Sequence, residues 1–505
     1  MTRILIQLFF FLFGLHTAIA QNITAKIIDS QSGESLPYAN IKVNETINLI
    51  SNAEGYFTLS ESNSGDTAIL SVSYLGYAKR QITVGELKNL QYIIKLEPGV
   101  FELETMTISN IKPDPNTIMA EVKKNLPIHY KSSGKLSKNQ LFYREATVFK
   151  PKNINIEFTK STGFSKKGLE AANKDLNTFT SKLISNPPQE FKDMLCNYYS
   201  GTKMKDNKPI FSQKLEVKKA IILKDENRSF SLDDMQETGT NILLKHLDST
   251  KFYRVKSGLF GSRDTISMRK GYNEKKKKTE TSRVSSSKTG ITSFVYQNSF
   301  LNSTQMNFVN QPELYDYTYE GKIYNNDDET VYVLSFKPRK SKAKHTGKLY
   351  ISAADYAVVR CDYTLAEGKN LNGFNMKFLL GVKVFENINK GTLIFKKNPI
   401  SSGYYLQYAS SESGQYFYIN RPLKFIELTD SEKDVVAFDL KVEGNSVEKT
   451  EYLNISKSEI DETDFEKIKE EEFNYTKLQR YDPKIWKDFV SIEPLEEMKQ
   501  FRVVE

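Results

Sequence analysis

The 505-residue sequence is poor in the residues that usually carry chemistry: two cysteines, one tryptophan and four histidines. Two cysteines exclude a disulfide-stapled miniprotein, and no cluster of Cys and His offers zinc a ligand set. No histidine begins an H-x-x-E or H-E-x-x-H pattern, so zinc carboxypeptidase and metalloprotease mechanisms lack their ligands. A G-x-S-x-G elbow, a P-loop and a G-x-G-x-x-G turn are all absent from the sequence. After the first fifteen residues no apolar run approaches the ~20 that a spanning helix needs. The net charge of +9 is diffuse, and its one dense basic cluster, Lys275 to Lys278, lies in a Ser/Thr/Lys-rich stretch. Without interleaved aromatics that cluster reads as a solvated loop, not a nucleic-acid interface.

Aromatic residues are abundant, at 12% with 28 Tyr and 31 Phe, and charged residues at 26% are ordinary. Such a chain is neither disordered nor collagenous, and its aromatics suit half-buried pleated surfaces. The length allows about two to four domains. Residues 1–20 read as a secretory signal: Arg3, an apolar core from Ile4 to Leu15, then Ala18-Ile19-Ala20 before Gln21. Gln21 in place of Cys disfavours a lipid anchor. The expected address is therefore export, to the periplasm or the periphery of an outer membrane.

Residues 21–98 alternate in short segments: Ile23 to Asp29, Ala39 to Val43, Gly55 to Leu59, Ile69 to Leu75, a strand ending at Thr83, and Gln91 to Leu96. Turn residues separate them, and Pro98-Gly99 closes the unit, so a seven-stranded prealbumin- or immunoglobulin-like β-sandwich that folds alone is expected. Gly55 and Gly76 punctuate strand ends where positive φ is expected. Four blocks in order carry a resemblance: Ile27-Ile28-Asp29, Gly33 to Ile41, Ser51 to Phe57, and Leu70 to Tyr77. They resemble the carboxypeptidase-regulatory-like domain. That resemblance implies a small sandwich found as an accessory module in secreted and outer-envelope proteins of Gram-negative bacteria, and no peptidase activity.

Residues 99–135 read as a linker, Leu103 to Ser109, and a helix from Pro113 to Tyr130 in which Ile118, Val122 and Leu126 repeat before Pro127 stops it. Gly168 to Ile184 and Gln189 to Tyr199 look helical. Residues 136–455 are otherwise expected to form a larger antiparallel, half-barrel-like β domain with helices. Its strands include Val331 to Phe336, Gly347 to Ile351, Ala357 to Tyr363, a long one from Phe374 to Val384, and Val436 to Val442. Residues 456–505 read as an acidic, helical tail. Tyr319-Glu-Gly321, Val331 to Pro338, Gly347 to Ile351, Tyr356 to Arg360 and Asp482 to Phe489 resemble segments of uncharacterised envelope proteins that carry the same N-terminal domain. The curved sheet with packed helices is similar, at the level of fold only, to the half-barrel of periplasmic lipoprotein carriers.

No catalytic, cofactor-binding or metal-ligating set is expected. His345 in a basic turn reads as a surface residue, His129 and His246 as helix-end residues, and Asp327-Asp328-Glu329 as a hairpin turn and not a calcium site. Cys361 reads as a small buried hydrophobe, and whether it pairs with Cys196 stays open. Tyr315, Tyr317 and Tyr319, and likewise Tyr404, Leu406 and Tyr408, are expected to share one strand face as core or as a cavity lining. The function expected is non-enzymatic: binding or scaffolding an envelope component, whether lipid, glycan or outer-membrane protein, on the concave face of the large sheet. The alternative is a hydrolase with a dispersed active site.

Overall fold

The computed structural model describes residues 22–99, 112–131, 134–162, 165–206, 208–224, 252–257, 260–261, 266–267, 282–302, 304–324, 329–427 and 435–503. The proposed signal, the Leu103 to Ser109 linker, Lys275 to Lys278, His246 and Asp327-Asp328 lie outside them. The chain divides into two compact units, one ending at Pro98 but joined by Asp482–Leu495, the other made of the remainder.

The first unit has seven strands: β1 (Ile23–Asp29), β2 (Asn40–Val43), β3 (Ile47–Ile50), β4 (Tyr56–Leu59), β5 (Ile69–Ser73), β6 (Arg80–Thr83) and β7 (Ile93–Leu96). They form two sheets, β4-β1-β7 and β3-β2-β5-β6. Alternation places Ala25, Ile27, Ile41, Val43, Leu70 and Val72 in the core between them. Helix α1 (Val84–Asn89), which alternation does not reveal, starts in a reciprocal capping box of Thr83 and Glu86. Gly55 and Gly76 have φ of 82° and 84°. A Cβ on Gly55 would lie 2.9 Å from the Ile27 carbonyl oxygen. Asp29 accepts from the Tyr77 hydroxyl at 2.6 Å and from the Gln31 and Ser32 amides, which holds its carboxyl below the usual range, Tyr77 contributing most. The C-terminal segment belongs to this unit: Asn52 donates to the Pro494 carbonyl at 3.3 Å, the Glu61 amide donates to that of Lys487 at 2.7 Å, and Val490 packs on the core.

The second unit is built on an open sheet of fifteen strands. Its main path runs β14 (Tyr315–Tyr324), β15 (Thr330–Pro338), β16 (His345–Ser352), β17 (Val358–Leu365), β19 (Val382–Lys397), β20 (Tyr404–Glu427), β21 (Val435–Glu459), β8 (Ser137–Ser161), β9 (Gln189–Lys205), β10 (Lys208–Lys224) and β22 (Thr476–Leu478). Strands β11 (Phe252–Ser257), β12 (Phe260–Gly261), β13 (Ile266–Ser267) and β18 (Gly373–Met376) lie off that path. Every pairing along the path is antiparallel except β10 with β22. Helices α2 (Pro115–Tyr130), α4 (Arg283–Gln297) and α5 (Asn307–Asn310) contribute to the core on one face, with Leu141, Cys196, Phe336 and Leu393. On the same face, helix α3 (Lys166–Ser185) covers the far ends of β8 and β21 through Ala172, Leu176 and Leu183.

Several expectations need correction. Gln189 to Tyr199 is strand, not helix: Phe191, Met194, Leu195, Tyr198 and Tyr199 have helical spacing because both faces of β9 are buried. Cys196 and Met194 point into the helix-covered core, while Phe191 packs beneath Met498 and Phe501 on the other face. That second face is thus not wholly open to solvent. Pro127 lies within α2, whose last turn is anchored by the Tyr130 hydroxyl donating to the Val358 carbonyl at 2.8 Å. The C-terminal region is not a helical tail: its described helices are short, α7 (Glu462–Lys467) and α8 (Glu496–Lys499), β21 runs on to Glu459, β22 takes Thr476–Leu478, and Asp482–Leu495 joins the first unit. Cys196 and Cys361 are both free and buried. Their strands stand five places apart in the sheet order, roughly 20 Å or more of sheet, beyond disulfide reach.

Candidate functional site

The stretch from Phe374 to Val384 is not one strand. It folds back as a hairpin: β18, a single helical turn α6 (Lys377–Leu380), and the start of β19. Gly381 closes the turn with φ of 65°, and a Cβ there would lie 2.0 Å from the Asn420 carbonyl oxygen. Only glycine fits that position.

Folding back still leaves the apolar residues on one face. Met376 pairs with Val382, Val382 with Ile419, Ile419 with Val442 and Val442 with Ile154, so one apolar row crosses five strands. A second row runs from Phe374 to Val384 to Phe417 and ends at Gly444. Gly444 leaves room for Phe149, whose ring stacks on Phe417 with centroids 5.6 Å apart. At the β8 end the rows are covered by Phe179 and Leu183 of α3. At the β18 end they are uncovered, with Phe374 53% and Met376 38% exposed. In the turn, Leu379 is 73% exposed and Phe378 entirely so. The rule that apolar side chains on a long alternating segment are buried fails here.

The reverse face of the hairpin is aromatic and basic. Phe385 and Tyr416 are cross-strand neighbours with ring centroids 4.9 Å apart. The Lys383 ammonium lies 4.7 Å from the Phe385 ring, and that of Lys377 lies 4.2 Å from the Tyr418 ring. Tyr416 donates to Glu443 at 3.0 Å, and Lys152 also donates to Glu443, at 2.8 Å, the larger influence holding its carboxyl low. The polar side of α3, from Glu170 to Ser185, lines an open hollow of about 760 Å³. Its lining residues are all polar or charged, and it lies open to solvent, unlike the enclosed apolar cleft of a ligand site.

Elsewhere the buried polar groups form structural locks. Arg144 forks onto Asp193 at 2.7 and 2.8 Å, with Glu451 at 3.9 Å from its other nitrogen. Burial pushes the Glu451 carboxyl up, but Lys449 at 3.3 Å and then Arg144 outweigh it and hold it below its usual 4.5. Tyr408 donates to Glu451 at 3.1 Å from the face opposite Tyr404 and Leu406, because an extra residue between Leu406 and Tyr408 flips the alternation. Tyr315 and Tyr317 do face the core. His345 is buried and bonded to Asn389 at 2.9 Å, not at the surface. His129 meets the Asp355 carbonyl at 2.7 Å, and Tyr404 donates to the Asp355 carboxylate at 2.9 Å. One pair has chemical potential beyond support: Lys457 reaches Ser137 and Asn139 at 3.1 Å each, and burial brings its amine down to about 8. Nothing in the local sequence marks Ser137 or Lys457, which lie 320 residues apart. Among the described residues no group of three or more His, Cys, Asp or Glu side chains is placed to hold a metal ion. Among them too, no helix is long and apolar enough to cross a membrane.

Comparison with known proteins adds the following. The CarboxypepD_reg-like domain family matches residues 23–108, which agrees with the seven strands of the first unit. No curated protein matches the chain. The solved neighbours of the chain are remote. A DUF1329 family protein from Desulfovibrio piger is 9% identical over 65% of this chain and 92% of its own, at a TM-score of 0.17. The MucA/MucB complex of Pseudomonas aeruginosa gives 6% identity, 68% and 99% coverage, and a TM-score of 0.15. A membrane-associated protein of unknown function from Bacteroides fragilis gives 10%, 40% and 96%, and 0.12. Likeness at this level carries no argument.

Proposed function

We propose that the chain is an exported, non-enzymatic envelope protein whose large sheet binds an apolar or amphipathic component, with the carboxypeptidase-regulatory-like unit as its accessory module. One observation supports this above the rest: two apolar rows cross the sheet, are roofed by α3 at one end, and lie open at Phe374 and Met376 at the other. Uncovered apolar area of this kind is removed from water by a partner at roughly 25 cal/mol per Å². The half of the face beneath α2, α4 and α5 is filled by the protein's own side chains, so the binding surface is the far end of the sheet and not the whole concave face. Native mass spectrometry of protein taken from the envelope, with displacement of a hydrophobic dye, tests the reading. A bound species or displaceable dye is expected, and its weakening by Val384→Asp locates it on the rows. No bound species and no dye uptake by folded protein overturns it.

A hydrolase is the second reading, favoured by the contact of Ser137 with an amine of lowered pKa. Its test is labelling of Ser137 by a fluorophosphonate, lost in Lys457→Met. Ser137 is 3% exposed and donates to the Ser200 carbonyl at 3.2 Å, which argues for a structural role.

A further inference from the structure

We infer that the hairpin turn Lys377–Leu380 is a membrane-surface anchor that inserts Phe378 and Leu379 into the interface of an anionic lipid bilayer. The inference rests on the reading above for its setting, but on different residues and a different measurement. Phe378 is fully exposed and Leu379 is 73% exposed, side by side on a turn closed by Gly381, whose amide donates to the Lys377 carbonyl.

The charges around them choose the partner. Lys377 is the first residue of the turn and Lys383 follows it by six, and among the described residues neither makes an ion pair. Each ammonium instead lies against an aromatic ring, Tyr418 for Lys377 and Phe385 for Lys383. The carboxylate nearest in influence, Glu443, is already taken by Lys152 and Tyr416. Two bulky apolar side chains flanked by ammonium groups that form no ion pair among the described residues, with a layer of Tyr and Phe, match the composition of a bilayer interface: acyl chains below, aromatic-friendly headgroups, and negative charge at the surface. A protein groove would offer the apolar contact but would have no general reason to supply the anionic rim.

The full chain is floated with vesicles of phosphatidylcholine alone or with 30% phosphatidylglycerol added. Binding to the anionic vesicles is expected, at least tenfold stronger than to phosphatidylcholine and weakened by 0.5 M salt. Lys377→Gln with Lys383→Gln should weaken it by about 30-fold, and Phe378→Ser with Leu379→Ser by more than tenfold on both vesicle types. Because both apolar side chains are solvent-exposed, the latter variant should melt like wild type, which separates lost contact from lost folding. Absence of flotation for the wild type, or flotation unchanged in Phe378→Ser with Leu379→Ser, overturns the inference. So does a concentration-dependent dimer, seen by sedimentation, that the same variant abolishes, since the turn would then bind a second copy. Dye displacement that persists without flotation sinks the anchor and leaves the binding reading standing; flotation without dye uptake does the reverse.

Discussion

Replacing Asp193 by alanine should damage the second unit through charge and not through volume. Asp193 is fully buried and supplies both oxygens of the fork on Arg144, which is itself 3% exposed. The variant leaves the buried guanidinium with Glu451 at 3.9 Å and the Phe142 ring at 5.3 Å. Breaking a buried pair from one side costs about 3–5 kcal/mol. A unit of roughly 390 residues unfolds with about 0.8 kcal/mol/K of entropy at its midpoint, so the melting temperature should drop by about 4–6 °C. Calorimetry of the full chain reads this as a downward move of the larger transition. Arg144→Met with Asp193→Leu should recover most of the loss, because the guanidinium is gone and Glu451 keeps Lys449 at 3.3 Å and Tyr408 at 3.1 Å. A midpoint within about 1 °C of wild type for Asp193→Ala, or a double variant worse than the single, would refute the charge argument.

Three further outcomes follow from the geometry. Gly55→Val and Gly76→Val should each lower stability by at least ~1 kcal/mol, Gly55 more because its Cβ also meets the Ile27 carbonyl, read as the melting of the smaller transition. Lys457 is lowered by burial from 10.5 to about 8, so below pH 8 the folded state carries the full cost of burying its charge. Stability should therefore rise between pH 8 and 10.5, where the folded amine is already neutral and the unfolded one is not; urea melts of Lys457→Met should be higher by about 1–3 kcal/mol at pH 7 and lack that rise. A fragment of residues 22–98 should melt at a lower temperature than the same fragment mixed with a peptide of residues 482–495, because Val490 packs on the sandwich core and Asn52 and Glu61 bond to the segment; equal melting curves by circular dichroism would contradict this.

The sequence by itself determined most of the strands of the first unit, but not α1 or the addition of Asp482–Leu495. Strands β1, β2 and β4 bury alternate residues, so alternation reads true there, although β5 is buried at every position from Leu70 to Ser73; Gly55 and Gly76 take the positive φ expected of them. It also determined the strands from Val331 to Tyr363, where one face meets the helices. Tertiary structure decided the rest, for three physical reasons. Where both faces of a strand are buried, as in β9, alternation vanishes and helical spacing appears by accident. Where a strand gains one residue, as between Leu406 and Tyr408, every later side chain changes face without any mark in composition. And burial belongs to the neighbours, not to the residue: Val442 and Met376 stand in one apolar row, yet α3 covers the first and nothing among the described residues covers the second. The candidate surface at Phe374 to Leu380 was therefore visible in the sequence as apolar residues, but its exposure was decided only by the turn at Gly381 and by how far α3 reaches.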